Sequence, residues 1–327
     1  MAERNDTQRM DNWDGQGMRK ARDASPAEAT KQADTAIAAE PSGAAASVAL
    51  NNGVAMPQTG LGVFQVTDEA QCRDSVLAAL RIGYRLIDTA ACYGNERAVG
   101  AALRDGGVPR GEVFLTSKVW IQDAGHDRTL RSFERTLENL GTDYLDLYLI
   151  HMPYGDYHGS WEAMQELLAA GRVRAIGVCN FLPDRLADLI LSHDVTPAVN
   201  QIELHPFCQQ RRLRALMERY GIAPMAWAPF CEGRRGLFAD ETLAAIGAQY
   251  GKTPAQVVLR WLRQEGVVAI PKSVHEDRIA QNFDIDDFTL SPADLARIDA
   301  MDEGHPVILD VPDVLEVYRL HGITFEQ

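Results

Sequence analysis

The stretch LIDTAACYGNE, residues 86–96, decides how the rest of the chain is interpreted. It begins as a buried apolar strand, and an aspartate, Asp88, stands where the apolar run stops. A tyrosine, Tyr93, follows five residues later in a turn that Gly94 and Asn95 favour. Because a phenol has a pKa of roughly 10, Tyr93 is a useful acid near neutral pH only beside a positive charge. The remaining sequence has to supply that charge.

Seven further segments resemble this apolar strand, and most are followed by a helical pattern. The eight strand candidates are TGLGVF (59–64), YRLIDT (84–89), VFLTSK (113–118), LDLYLI (145–150), RAIGVC (174–179), AVNQIE (198–203), IAPMAWA (222–228) and VVAI (267–270). They are too uniformly apolar for an antiparallel sheet with one solvated face. Their number and the chain length predict an α/β fold, a parallel (β/α)8 TIM barrel. A doubly wound sheet is the alternative, but no strand-turn-helix segment carries the GxGxxG of a Rossmann dinucleotide site.

Amphipathic helices separate the strands. In residues 129–141, Leu130, Phe133, Leu137 and Leu140 recur at spacings of three and four, and Gly141 ends the pattern. SWEAMQELLAAG (160–171) repeats this design. TPAQVVLRWLRQEG (253–266) and SPADLARIDAM (291–301) each open with a hydroxyl N-cap and a proline.

Composition excludes several classes of protein. The chain has 327 residues, 46% of them hydrophobic, and a formal net charge of −14, which disfavours nucleic acid and anionic membranes as general partners. Its five scattered cysteines include no CxxC pair, so we predict a cytoplasmic protein without disulfides, structural zinc or another metal site. No apolar run approaches the ~20 residues of a membrane span.

The N-terminal part differs from the rest. Residues 1–46 hold six Lys/Arg, eight Asp/Glu and one aromatic residue, without sustained periodicity. We predict a disordered extension there and a barrel domain over residues 47–327. The barrel domain opens with SVALNNGVAMPQ (47–58), in which an Asn-Asn-Gly turn predicts a β-hairpin that closes the bottom of the barrel.

Polar residues recur at the carboxyl ends of the strands, where barrel enzymes build their sites. In chain order they are Asp88, Lys118, His151, Cys179, Asn180, Gln201, Glu203, Trp227, Lys272 and Ser273. In one barrel they converge on a single mouth.

Three of these side chains answer the question that Tyr93 raises, and Tyr93 itself is the fourth member of the group. Lys118 can lower the pKa of Tyr93, Asp88 can pair with Lys118, and His151 can donate or accept a proton beside the phenol. Together they form a general acid for a carbonyl oxygen that gains negative charge. Each residue alone has an ordinary structural role, so the hypothesis depends on all four arriving at consecutive strand ends. A Schiff-base aldolase that uses Lys118 is an alternative, which an adjacent Asp88 opposes.

A second cluster lies in IPKSVHEDRIAQNF, residues 270–283. Lys272, Ser273 and Arg278 bracket a strand end and the start of a helix, a place that favours anions. In a chain of net charge −14 this indicates an anionic ligand. Trp227 is either a core residue or a flat face for a heterocycle.

The sequence resembles the aldo-keto reductase superfamily, in particular the prokaryotic branch of 2,5-diketo-gluconate and methylglyoxal reductases. The similarity runs from about Ser47 to the C-terminus. It rests on LIDTAACYGNE, TSKVW, LIHMP, IGVCNF, NQIELHP, WAPF and IPKSVHEDRIAQN, which occur in the family order. The resemblance implies a monomeric barrel that reduces small aldehydes and ketones with NADPH, without a Rossmann fold. Some family members instead bind NADPH as sensory or regulatory subunits, and this is the second hypothesis.

The resemblance also implies residue roles. Tyr93 is the general acid, Lys118 its modulator, Asp88 the partner of Lys118, and His151 orients the carbonyl. The implied cofactor residues are Gly62, Val63, Cys179, Asn180, Gln201, Trp227, Ala228, Phe230, Lys272, Ser273, Val274, Arg278, Gln281 and Asn282, with residues 229–239 folding over the pyrophosphate. The implied substrate residues are Phe64, Trp120, His151 and Met152.

Three positions depart from the family pattern. Cys179 replaces a serine, so contacts to the nicotinamide depend more on Asn180 and Gln201. Gln281 replaces an acidic residue, and Asp286 replaces an aromatic residue, which would disturb packing at a buried position.

Overall fold

The computed structural model describes residues 46–325. The predicted extension, apart from Ala46, lies outside the described residues. Ten strands follow in the order β1 (Ser47–Ala49), β2 (Ala55–Pro57), β3 (Leu61–Gly62), β4 (Leu86–Asp88), β5 (Phe114–Val119), β6 (Leu145–Ile150), β7 (Val173–Cys179), β8 (Val199–Glu203), β9 (Ala223–Trp227) and β10 (Val268–Ala269).

Strands β3 to β10 form one parallel sheet in sequence order. The sheet curls until its two edges meet, because Thr59 bridges Ala269 in parallel and the Gly60 amide donates to the Ala269 carbonyl at 2.9 Å. Gly62 is required at this seam, since a Cβ there would lie 2.9 Å from the Ile270 carbonyl oxygen. The predicted (β/α)8 barrel is confirmed, and the doubly wound alternative is not.

Eleven α-helices are described within residues 46–325: α1 (Glu69–Ile82), α2 (Glu96–Asp105), α3 (His126–Leu140), α4 (Tyr157–Ala169), α5 (Pro183–Ser192), α6 (Arg211–Arg219), α7 (Glu241–Tyr250), α8 (Pro254–Gln264), α9 (Glu276–Phe283), α10 (Pro292–Asp299) and α11 (Val314–His321). The four helical patterns read from the sequence correspond to α3, α4, α8 and α10. Thr253 caps α8 in a capping box with Gln256, and Gly141 ends α3 in a left-handed conformation with φ 64°.

The apolar residues occupy three places. The largest cluster lies between sheet and helices and includes Trp161 and Trp261. A second fills the barrel interior, where Leu50 and Met56 of the hairpin segment pack near the strand starts at Leu86 and Phe114. The hairpin, with Ser47 paired to Pro57, therefore covers the amino-terminal ends of the strands, as predicted. The third cluster lies at the opposite, carboxyl end and is described with the site.

Two details of the fold bear on the sequence predictions. Asp286 is exposed and pairs with Arg263 at 3.1 Å and Arg260 at 3.5 Å, so the condition for disturbed packing does not arise there. Over residues 46–325, no helix combines the length and the apolar character needed to cross a membrane.

Candidate active site

A buried ion pair forms the floor of the barrel mouth. Lys118, on β5, and Asp88, at the end of β4, are 0% and 1% exposed, and Lys118 Nζ lies 2.5 Å from Asp88 Oδ1. The parallel register that pairs Asp88 with Thr116 brings the two strand ends together. Lys118 Nζ also donates to the Thr89 carbonyl at 2.9 Å and reaches the Tyr93 hydroxyl at 3.5 Å. Three acceptors thus surround the three hydrogens of the ammonium group.

The second oxygen of Asp88 is also occupied. Gln201, on β8, donates from Nε2 to Asp88 Oδ2 at 2.9 Å across the barrel interior. Burial raises the pKa of Asp88, and the Lys118 ammonium and the Gln201 hydrogen bond oppose that rise. A buried carboxylate with both oxygens paired is held in one orientation, so Lys118 is fixed as well.

Tyr93 is placed by a short turn and by Asn95. It ends the 3₁₀ helix Ala91–Tyr93, and Gly94 follows with φ 68°. Asn95 is 1% exposed, accepts from the Thr89 hydroxyl at 2.7 Å, and donates to the carbonyls of Val63 at 2.9 Å and Val66 at 3.1 Å. These contacts fix the turn against the β3 and β4 ends, and so fix the distance from Tyr93 to Lys118.

The expected lowering of the Tyr93 pKa is not found in this structure. Burial raises the pKa of Tyr93 well above its ordinary value, and the negative charge of Asp88 adds to the rise. The reason is that the Lys118 charge is neutralised by Asp88 at 2.5 Å, a full ångström closer than the phenol. Tyr93 is therefore protonated at neutral pH, which is the form that an acid needs before it donates.

His151 follows β6 directly and faces Tyr93. Their ring centroids are 5.6 Å apart in an edge arrangement, and the Trp120 ring lies 5.0 Å from the imidazole. Burial, and then the positive charge of Lys118, hold the pKa of His151 well below its ordinary value. The imidazole is therefore neutral at neutral pH. Its Nδ1 lies 3.4 Å from the Cys92 thiol, a neighbour that the sequence did not predict.

The predicted substrate residues surround this pair. Phe64 is 51% exposed with its ring 4.9 Å from that of Tyr93, whereas Trp120 and Met152 are buried. Trp120 and Met152 belong to the third apolar cluster, whose members are Trp120, Ile121, Met152 and Leu320, packed with Cys92, Tyr154, Leu309 and Phe325. We call this group the mouth cluster. Its side chains carry no formal charge.

Asn180 connects three strand ends on the other side of the mouth. It has φ 63°, which asparagine tolerates better than most residues, and it donates from Nδ2 to the His151 carbonyl at 3.2 Å. Its Oδ1 accepts from Trp227 Nε1 at 2.8 Å, so the half-buried Trp227 ring is held in place. Cys179 is fully buried beside these groups, close enough for the charges of Lys118 and Asp88 to act on it.

The second predicted cluster is exposed and little paired. Lys272 and Arg278 lie at the surface, and neither makes an ion pair or a side-chain hydrogen bond within residues 46–325. Ser273 accepts from the His275 amide at 3.1 Å, and α9 starts without a side-chain N-cap. We call Lys272, Ser273 and Arg278 the cationic end of the mouth. In this region Val274 is partly buried, Asn282 is buried and Gln281 is exposed.

The predicted covering loop is strained. In residues 228–236, Ala228, Cys231, Glu232 and Arg235 all have positive φ values between 46° and 57°. Arg235 of the loop pairs with Glu303 at 2.7 Å, and Arg234 donates to the Val307 carbonyl at 3.1 Å. Phe230 packs against Phe238 within the same segment, with ring centroids 5.6 Å apart. The loop is thereby attached to the segment that follows α10.

Gly62 and Val63 also lie at the mouth. The Val63 amide donates to the Asp88 carbonyl at 3.2 Å, and the Gly62 amide to the Pro271 carbonyl at 3.2 Å. The two residues therefore join the strand end that carries Asp88 to the strand end that precedes Lys272.

Sequence reasoning gave no role to Asn95, Cys92 or Glu203. Asn95 follows Tyr93 by two residues, and its position in the stretch 86–96 was the one feature of the sequence that could have indicated its role in placing Tyr93. Glu203 appeared only as one more polar strand end. Its partners lie more than a hundred residues away, and no local pattern indicates them.

Comparison with known proteins shows the family of the chain. Residues 53–303 match the Aldo/keto reductase family. The chain belongs to the aldo/keto reductase family. It is an NADP-dependent oxidoreductase of that family.

Relatives in this family agree with the predicted branch. The chain is 47% identical over 262 residues to the glyoxal reductase of Bacillus subtilis, which covers 80% of this chain and 94% of that protein. It is 44% identical over 260 residues to the methylglyoxal reductase DkgA of Escherichia coli, covering 79% and 94%. Among solved structures, an aldo-keto reductase of Bombyx mori in complex with NADP is similar with a TM-score of 0.78 and 34% identity, covering 84% of this chain and 97% of that one.

Proposed function

We propose that this aldo/keto reductase reduces small, uncharged aldehydes and ketones to alcohols with NADPH, and that Tyr93 donates the proton. The observation that carries the proposal is the group formed by Asp88, Tyr93, Lys118 and His151, which we call the tetrad. It places a protonated phenol 3.5 Å from a locked ammonium group and edge-on to a neutral imidazole.

The tetrad residues have distinct tasks. Tyr93 presents its hydroxyl proton to the carbonyl oxygen, and Lys118 stabilises the phenolate that remains. Asp88 and Gln201 hold Lys118 in place, since both oxygens of Asp88 are paired. His151, neutral and adjacent, offers a ring N–H to the same oxygen and so orients the carbonyl. When bound, NADPH supplies the hydride.

The residues present fit that cofactor. Lys272 and Arg278 are exposed cations that lack partners among residues 46–325, and they lie beside the uncapped start of α9, a donor set suited to a phosphate. Trp227 offers a ring that Asn180 holds in place, and Gly62 lacks a Cβ at the seam between β3 and β10. We assign the 2′-phosphate to the cationic end, and the nicotinamide to the side of the mouth with Asn180, Gln201 and Cys179.

The mouth cluster determines the substrate class. Its aromatic and aliphatic side chains offer no cation to a carboxylate substrate. Trp120 Nε1 donates to the Ile323 carbonyl at 2.9 Å and is occupied. Small uncharged carbonyl compounds fit the mouth cluster better than a sugar acid does. The relatives named glyoxal reductase and methylglyoxal reductase support the same substrate class.

The proposal is tested by NADPH fluorescence titration followed by turnover on methylglyoxal, glyoxal, a neutral aromatic aldehyde and a 2-keto acid. We expect NADPH binding, turnover of the neutral compounds and little turnover of the keto acid. Binding without turnover of any carbonyl would refute the reductase and favour an NADPH-binding sensory barrel. Borohydride trapping with a carbonyl substrate should label no lysine, because Lys118 directs its hydrogens at three acceptors.

A further inference from the structure

Glu203, the last residue of β8, is a buried carboxylate that captures a distant segment of chain. It is 2% exposed. Its Oε1 accepts from the amides of Val307 at 2.6 Å and Ile308 at 3.0 Å, and its Oε2 accepts from the Leu309 amide at 2.9 Å. Three consecutive backbone donors therefore point at one carboxylate across 104 to 106 positions of sequence.

His205 completes the surroundings of this carboxylate. Its ring is fully buried, with Nε2 3.1 Å from Glu203 Oε1. Burial acts to raise the pKa of Glu203, but the hydrogen bonds from His205 and from the Val307 and Leu309 amides together hold the pKa below its ordinary value. The carboxylate is thus ionised, and charge-assisted bonds to its oxygens are the stronger kind.

The captured segment has no regular structure of its own. Residues 307–309 belong to neither helix nor strand and are only partly buried. Beyond Glu203, the Val307 carbonyl accepts from Arg234, and Tyr154 donates to the Val311 carbonyl at 2.6 Å. Glu203 supplies the acceptors for all three amides of the segment.

The segment matters because Leu309 belongs to the mouth cluster. It packs against the cluster of Trp120, Met152 and Leu320, in which the Trp120 ring lies 5.0 Å from the His151 imidazole. Because no helix or strand holds this segment, the position of the Leu309 side chain depends on the contacts that fix the backbone of residues 307–309. Glu203 fixes that backbone from the strand next to the one that carries Trp227.

We propose that Glu203 is a positioning residue that sets substrate affinity by holding Leu309 in the wall of the substrate pocket. The inference rests on the proposed reductase function. Glu203 lies outside the tetrad and the cationic end, and it acts on the substrate only through the 307–309 segment.

Substitution of glutamine for Glu203 is the sharpest perturbation. Glutamine keeps the size of the side chain, but it replaces one acceptor oxygen with an NH2 group that faces backbone donors. Either Leu309 or the pair Val307 and Ile308 then loses its acceptor. We expect the KM for methylglyoxal to rise about tenfold in Glu203→Gln, with kcat and the NADPH Kd changed less than about twofold.

A double-mutant cycle connects the effect to Leu309. We expect Leu309→Ala alone to raise the KM similarly, and Glu203→Gln/Leu309→Ala to be no worse than either single variant. The matched control is Asp146→Asn. It removes an equally buried carboxylate near the start of β6, paired to Arg110 and Arg174 and remote from the mouth, and should leave the KM unchanged. Additive effects of the two single variants, or a normal KM in Glu203→Gln, would overturn the proposal.

Amide hydrogen exchange of the wild type tests the same contact without a variant. We expect the amides of Val307, Ile308 and Leu309 to be protected relative to the Asp310 amide, which has no hydrogen-bond acceptor within residues 46–325. Exchange of all four amides at similar rates would refute the capture, even if Glu203→Gln failed to fold. If the three amides are protected but the wild type turns over no carbonyl compound, the result counts against the reductase function and not against the contact with Glu203.

Discussion

The two ends of the barrel mouth are built in opposite ways. At the tetrad, Lys118 and Asp88 are buried and their polar contacts are made to other protein groups. Gln201 donates to Asp88, and Lys118 donates to the Thr89 carbonyl. At the cationic end, Lys272 and Arg278 are exposed and lack partners in the described part of the chain. In the proposed function, the tetrad is therefore already in its working arrangement, whereas the cationic end keeps its charges for a ligand. This difference separates chemistry from binding, and each prediction below tests that separation.

The largest effect is expected for Tyr93→Phe. Removing the hydroxyl removes the proton donor while the ring contacts with Phe64 and His151 remain. We expect kcat to fall about 10² to 10⁴-fold, the usual contribution of a general acid. The NADPH Kd should not change. Loss of NADPH affinity in parallel with kcat would show that the two ends are not separate.

Lys118→Met should damage both chemistry and fold. It leaves the Asp88 carboxylate buried at 1% exposure without its counter-ion, and breaking such a pair costs about 3–5 kcal/mol. We expect a lower free energy of unfolding in urea and a loss of kcat. Asp88→Asn combined with Lys118→Met should recover part of the stability but none of the turnover. Recovery of both would mean that the pair serves the fold only.

At the cationic end, Arg278→Ala and Lys272→Ala should each weaken NADPH binding about tenfold without lowering kcat. Binding of NADH should be unaffected, and the loss should shrink as salt rises. Arg81→Ala is the matched control, because Arg81 is also exposed on this side but already pairs with Glu276 at 3.3 Å. An unchanged NADPH Kd in Arg278→Ala would remove Arg278 from the phosphate site.

The smallest effect concerns pH. The pKa of His151 is lowered well below its ordinary value and that of Tyr93 is raised well above its own. His151 gains a proton only on strong acidification, and Tyr93 loses one only on strong alkalisation. We therefore expect kcat/KM for carbonyl reduction to show no inflection at the ordinary imidazole or phenol values. An inflection near either, absent in the corresponding His151→Gln or Tyr93→Phe variant, would contradict these directions.

The barrel could be predicted because its evidence is local. Most of the strands are rich in apolar residues, and several have a polar residue at or beside their carboxyl end, such as Asp88, Lys118 or His151. Parallel strands bring those ends together, so the tetrad followed from the order of the motifs. The resemblance to the family then assigned roles that the residues alone left open.

What the sequence missed depends on distance and burial. The direction of the Tyr93 pKa shift follows from the burial of the phenol, from the negative charge of Asp88, and from a difference of 1.0 Å between two contacts of Lys118, 3.5 Å against 2.5 Å. The Cys92 contact with His151 and the capture of residues 307–309 by Glu203 join parts of the chain that no pattern connects. The predicted extension, monomeric state and cytoplasmic location stay predictions.

The central claim is the separation of the two ends, and a cycle of Tyr93→Phe, Arg278→Ala and the double variant tests it most directly. The NADPH Kd and the single-turnover rate with methylglyoxal at saturating NADPH are measured for all four proteins. We expect Tyr93→Phe to change only the rate, Arg278→Ala only the Kd, and the double variant to show both changes undiminished. A Tyr93→Phe protein that reduces methylglyoxal at the wild-type rate would contradict the account.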